Sequence, residues 1–275
     1  SVLSGLLTRG GKVFGQAQSV KSGNWSDPTV CSTGKAPGAG DPVSITGGHT
    51  VTYDVQSDAV LGDVTIDGTL KFSRTANTRL KTNGNIVVRS GGFLDMGTPG
   101  DYIPRNVKAE VIWQLTQEQA NAFVPVVGHT VVDESKGLYA LGGSRWEVHG
   151  EPLMRTWSKL AQNVSAGAGT IVVENDVTDW FVGGTVVISA TNVPLEYSWS
   201  DRLGKETSRT LTPQHEVRTI RSFQPLSGGK TQITLDQPLQ YFHEGTAPFQ
   251  GEVGLLTRNV VIKTELLGVD EQTLI

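Results

Sequence analysis

The chain has 275 residues, 33 of them glycine, with 7% aromatics and a net charge of −4, a length that holds one elongated domain or two closely joined ones. No run of Lys or Arg supplies the basic stripe that phosphate neutralisation requires, which excludes nucleic acid and anionic membrane surfaces as partners. The longest apolar stretches, such as TVVISA (185–190), have strand length and fall short of the roughly 20 residues of a membrane span, and a single cysteine, Cys31, makes no internal disulfide.

The opening SVLSGLLTRGGKVF lacks the apolar centre of a signal peptide and reads with residues 1–19 as an N-terminal extension. Glycine, Val and Thr then dominate, a mixture that favours strands broken by tight turns. ITGGHTV (45–51), VTIDGTL (64–70) and IVVRSGGFL (86–94) say nearly the same thing three times. Laid over one another, Ile45, Ile66 and Val88 fall before the glycines, and Val51, Leu70 and Leu94 fall after them. Strand, glycine turn and strand recurring at about twenty residues predict a right-handed parallel β-helix, in which no coil buries its apolar face alone. Alternation points Val64 and Ile66 inward and Asp63, Thr65 and Asp67 outward. An exposed Asp67–Arg89 pair between coils is expected to contribute well under ~1 kcal/mol. Gly47, Gly48, Gly68, Gly91 and Gly92 read as turn chemistry.

Beyond residue 98 the pattern loosens. TPGDYIP is a loop and AEVIWQL (109–115) a strand. Thr116 and Gln119 form a capping box, followed by helix formers and stopped by Pro125, so one short helix is predicted near 117–123. GLYALGGSRWEVHG (137–150) resumes the repeat, which places a β-helix domain over 20–150. Residues 151–275 read as a continuing β-rich segment, either the start of a larger β-helix or a second β subdomain. Within it, AGTIVVENDVTDWFVGGTVVISATN (168–192) carries two strands around a turn, and 194–214 reads as a protruding loop. HEVRTIRSFQPL and GGKTQITLDQPL pair as a hairpin, and GLLTRNVVIKTE (254–265) is the last strand.

SGNWSDPTV, GAGDPVSITGGHTVTYD, VLGDVTIDGTLKF and IVVRSGGFLDMG together resemble the G8 domain. GGSRWEVHG, VTDWFVGGTVVIS and GEVGLLTRNVVIK are similar to the segments that follow that module in the cell-migration-inducing and transmembrane hyaluronidases. The resemblance covers residues 20 to 265. It implies a right-handed β-helix in secreted or surface-exposed proteins, some of which depolymerise hyaluronan. In those enzymes further coils follow the stretch matching GLLTRNVVIK.

Polysaccharide hydrolysis wants two carboxylates roughly 5–10 Å apart, and lyase chemistry wants a base with a cation or metal beside it. Glu147, His149 and Glu151 share one face if their strand alternates, a set that binds a cation, holds a proton carrier, or merely satisfies a turn. Arg258 offers a guanidinium for a uronate carboxylate or for a structural pairing. Trp199, in a loop rich in Ser and Arg, is the tryptophan placed to stack on a sugar. His49, His129, His215 and His243 have no partner at readable spacing. No EF-hand or nonapeptide repeat is present, so no metal or other cofactor is expected beyond Ca²⁺ at the carboxylate-rich turns.

These observations lead to an extracellular or cell-surface module, structural or carbohydrate-binding, within a larger protein and not catalytic by itself. Its partners are then a glycan and the remaining β-helix of its parent or a neighbouring subunit. The alternatives are a fragment or compact form of a polysaccharide-degrading hydrolase or lyase, and an adhesin or filament subunit.

Overall fold

A computed structural model describes residues 8–9, 12–13, 16–121, 136–192, 197–200, 206–209 and 213–268. The described residues are all-β apart from one α-helix and short 3-10 turns. They divide into two compact units, Ser1–Glu151 with Arg258–Ile275, and Pro152–Thr257.

In the first unit, β1 (Thr8–Arg9) and β2 (Lys12–Val13) form a short antiparallel ladder. The chain then makes successive rounds of strands. The first has β3 (Ala17–Gln18) and β4 (Gly23–Asn24); the second β5 (Val43–Ile45), β6 (Thr50–Tyr53) and β7 (Gln56–Leu61). The third has β8 (Val64–Ile66), β9 (Thr69–Phe72) and β10 (Thr78–Thr82); the fourth β11 (Ile86–Val88), β12 (Phe93–Met96) and β13 (Ala109–Leu115). The fifth begins with β14 (Leu138–Ala140) and β15 (Arg145–Val148). Equivalent strands of successive rounds pair in parallel, giving the sheets β3-β5-β8-β11-β14 and β4-β6-β9-β12-β15.

Register explains the repetition in the sequence. Ile45 pairs with Ile66 and Ile66 with Val88, while Val51 pairs with Leu70 and Leu70 with Leu94. All six are buried, so each apolar pair falls inward on every round and stacks on its own equivalent. Trp25 and Val30 close the first round, with the Trp25 ring edge-on to Tyr53 at 4.9 Å. At the corners a Cβ on Gly92 would strike the Ile66 carbonyl oxygen, and one on Gly68 the carbonyls of Thr46 and His49. Neighbouring rounds approach too closely there for any side chain. The outward Asp67 and Arg89 meet at 3.6 Å, both in contact with solvent.

The capping box forms as the sequence predicts, at the start of α1 (Gln117–Asn121). Thr116 N–H donates to Gln119 Oε1 at 2.9 Å and Gln119 N–H to Thr116 Oγ1 at 3.2 Å. Residues 122–123 of the predicted helix lie outside the described residues.

The second unit holds β16 (Trp157–Lys159), β17 (Thr170–Val173), β18 (Thr185–Ile188), β19 (Tyr197–Ser200), β20 (Glu206–Arg209), β21 (Glu216–Pro225), β22 (Thr231–Leu235) and β23 (Glu252–Leu255). Six of them form an antiparallel sheet in the order β16-β23-β18-β21-β22-β17. Its two edges meet. Glu174 N–H donates to the Lys159 carbonyl at 2.9 Å and Ala161 N–H to that of Val172 at 2.8 Å. The sheet therefore closes into a barrel, which removes its free edges. Ile171, Val173, Val186, Ile188, Ile220, Ile233, Val253 and Trp180 fill its interior.

Several expectations for the second half need correction. GLLTRNVVIKTE is not one strand: its start belongs to β23 in the barrel, and its end is β24 (Val260–Leu266) in the first unit. There β24 pairs in parallel with β13 along its whole length, completing a third sheet, β24-β13-β10-β7. Residues 151–275 are thus not one continuing segment, because the barrel is inserted between β15 and β24. The stretch 194–214, read as a loop, contains the antiparallel pair β19 and β20. The expected hairpin is present as β21 and β22, joined through Ser227–Gly229.

Candidate functional site

The outer face of β15 gathers a cluster of charged and titratable side chains. Lys71 of β9, Asp95 of β12 and Glu147 of β15 occupy one row across the strands. Asp95 is buried because Arg74 lies over it: Arg74 Nη2 reaches Asp95 Oδ1 at 2.6 Å and Asp101 Oδ2 at 3.2 Å. Arg74 also donates to the carbonyls of Phe72 and Asp101. Lys71 Nζ stands 3.0 Å from Asp101. That ammonium, aided by Arg74 against the effect of burial, holds the Asp101 carboxyl below the usual carboxylate range.

Upon this base sit the residues of β15 and its exit. The Arg145 guanidinium lies 4.5 Å from the centroid of the Phe93 ring, a cation–π contact. Its Nε donates to Glu147 Oε1 at 2.7 Å. The other Glu147 oxygen, Oε2, is buried, accepts no hydrogen bond, and stands 3.7 Å from His149 Nε2. The Tyr102 ring is 6.5 Å from that of His149. A carboxylate, an imidazole and a guanidinium with solvent access thus share one patch, whose donors and acceptors suit an acidic or hydroxylated ligand.

Strand alternation predicts Glu147, His149 and Glu151 on one face. Glu147 and His149 do meet, but β15 ends at Val148 and Glu151 turns away to Arg105, its Oε1 lying 3.2 Å from Arg105 Nη2. Arg258 is exposed where the chain re-enters the first unit, beside Asn259, whose amide donates to the carbonyls of Ile103, Pro104 and Val107. Trp199 is in β19, opposite Thr207. Arg145 was overlooked, although its spacing of two from Glu147 places it on the same strand face. Among the described residues no three His, Cys, Asp or Glu side chains gather to hold a metal ion.

The barrel has its own polar cluster. His243 and Glu216 are buried, with His243 Nε2 3.0 Å from Glu216 Oε1. Burial by itself would raise the Glu216 carboxyl. The backbone N–H of Gln240, the His243 ring, the backbone N–H of Tyr241 and the Arg218 guanidinium outweigh it, leaving Glu216 below its ordinary value. Twenty-seven residues separate His243 from Glu216, so no local motif announces the pair.

Among the described residues no helix is long and apolar enough to cross a membrane. The G8 domain family model matches residues 30–161. A G8 domain-containing protein of Dictyostelium discoideum is 28% identical over 247 residues, covering 88% of this chain and 19% of its own length. Communication mutant protein F of the same organism is 28% identical over 251 residues, again 19% of its length. Human fibrocystin-L is 29% identical over 248 residues, or 87% of this chain and 5% of that protein. The chain therefore spans a fifth or less of these curated relatives. Residues 30–161 thus carry a G8 domain, and the chain around it is similar to these G8-bearing relatives over most of its length.

Proposed function

We propose that the chain is an extracellular or cell-surface module whose first unit forms the opening rounds of a longer right-handed parallel β-helix, with a glycan-contacting patch on β15. One observation carries the structural half of this reading. The fifth round leaves several of its core positions open: Trp146, Val148 and Ile262 are 45%, 36% and 39% exposed, whereas Leu94, Met96 and Val111, their partners one round earlier, are 2%, 0% and 2% exposed. Side chains of core type on three strand edges that no described strand covers call for another round above them. The much greater length of the relatives supports the same reading. Iodide should quench Trp146 in this segment and lose that access in the natural polypeptide that contains it. Equal quenching in both defeats the stacking half.

The glycan half rests on Arg145, Glu147 and His149, with Tyr102 beside them. Immobilised hyaluronan and neutral polysaccharides should retain the chain, and Arg145→Ala with His149→Ala should abolish retention without lowering the melting temperature. Retention unaffected by the double change removes the patch from consideration. The contact between Glu147 and His149 favours a second reading, a polysaccharide-cleaving fragment resembling the hyaluronidases. Product sizing separates the two: intact polymer supports binding alone, and short oligosaccharides support cleavage.

A further inference from the structure

The His243 ring is fully buried at 0% exposure, and both of its nitrogens face acceptors. Nδ1 lies 2.9 Å from the Ser189 carbonyl oxygen, which can only accept, and Nε2 lies 3.0 Å from Glu216 Oε1. Glu216 is already committed as an acceptor on both oxygens. Tyr241 N–H donates to Oε1 at 3.0 Å, Gln240 N–H donates to Oε2 at 2.8 Å, and Arg218 Nη2 reaches Oε2 as well. A neutral imidazole has one N–H, so either tautomer would aim a bare nitrogen lone pair at an oxygen lone pair in direct contact with it. With Glu216 held as a carboxylate by these donors, the ring satisfies both neighbours only when it carries two protons.

We infer that His243 is an imidazolium in the folded barrel, and that its charge latches the segment 240–244 to β21 in a pH-sensitive way. That segment carries the latch on every side. His243 exchanges both backbone hydrogen bonds with Val164, and Glu244 N–H donates to Thr191 Oγ1 at 2.9 Å. The charged groups facing the ring are the Glu216 carboxylate and, through it, the Arg218 guanidinium; the β18 side presents the Ser189 carbonyl, and the Val164 side presents backbone alone. The Glu244 carboxylate is engaged by the backbone N–H of Thr246. The latched form holds a proton that an opened segment, with an ordinary histidine of pKa about 6.5, gives up in neutral solution. Rising pH therefore favours opening.

Nitrogen-15 NMR of the intact chain at about pH 7.5, where an ordinary histidine is mostly neutral, tests the state directly. Two protonated ring nitrogens at His243 are expected; one bare nitrogen overturns the inference. Amide exchange at Val164 and His243, corrected for base catalysis, tests the latch. Opening should become more frequent as pH rises above the ordinary histidine range, by at most about tenfold per pH unit for one proton, and a flat profile overturns it. His243→Gln, with no proton to lose, should flatten that dependence. The NMR result on the unaltered chain decides the question even where this variant does not fold.

Discussion

Arg74 and Arg89 look interchangeable in the sequence, and their surroundings give them opposite weights. Arg74 directs its donors to Asp95, Asp101 and two carbonyls and is nearly buried with Asp95. Removing it leaves an uncompensated buried carboxylate, so Arg74→Ala should cost about 3–5 kcal/mol in denaturant unfolding of the first unit. Arg89 and Asp67 meet in solvent, and Arg89→Ala should change stability by less than about 0.5 kcal/mol. Neighbouring glycines divide in the same way. Gly91 has φ 83° and open space where a methyl group would stand, so Gly91→Ala should cost about 1–2 kcal/mol of backbone strain. Gly92→Ala should cost more, because its methyl group must displace the Ile66 carbonyl. In the barrel, Glu216 titrates below the ~4.3 of an unfolded glutamate. Its stabilisation is complete above about pH 5 and is lost as pH falls through the depressed folded value. Acid melts followed by exchange at β21 should show that loss, and Glu216→Gln should remove it.

At the scale of the element, β13 and β24 make the comparison that register allows. Val111 and Ile262 are cross-strand partners with the same inward aim, but only Val111 is covered. Val111→Lys should unfold or severely destabilise the first unit, by more than about 4 kcal/mol. Ile262→Lys should cost less than about 1 kcal/mol by chemical denaturation, and a large loss there would mean that the last round is not open. What the sequence reveals follows from the range of each signal. The corners and inward residues of the rounds were legible because alternation and glycine spacing are local, and Thr116 with Gln119 announced their helix for the same reason. β24 was misread because its partner β13 lies about 150 residues earlier, and nothing in GLLTRNVVIKTE marks the place where the chain leaves one unit for the other. Glu151 was misassigned because alternation was carried past the end of β15 at Val148.

For the whole molecule, the insertion is the feature with most consequence. Its ends lie close together in each unit. In the first, Asn259 is packed against Gly150; in the barrel, Leu255 N–H donates to the Thr156 carbonyl at 2.8 Å. Replacing residues 152–257 by a few flexible residues should therefore leave the first unit folded, with its strand pairing intact by NMR, and loss of the β13–β24 pairing would contradict the division into units.

While the barrel is folded, it presents β24 to β13 on a short tether, whatever the length of chain between them. Melted, the same stretch becomes a free loop of about a hundred residues, and closing such a loop in place of a short one costs roughly 2–3 kcal/mol of chain entropy. The barrel thus props up a strand by geometry alone: its unfolding would loosen β24 without breaking a single bond in the first unit.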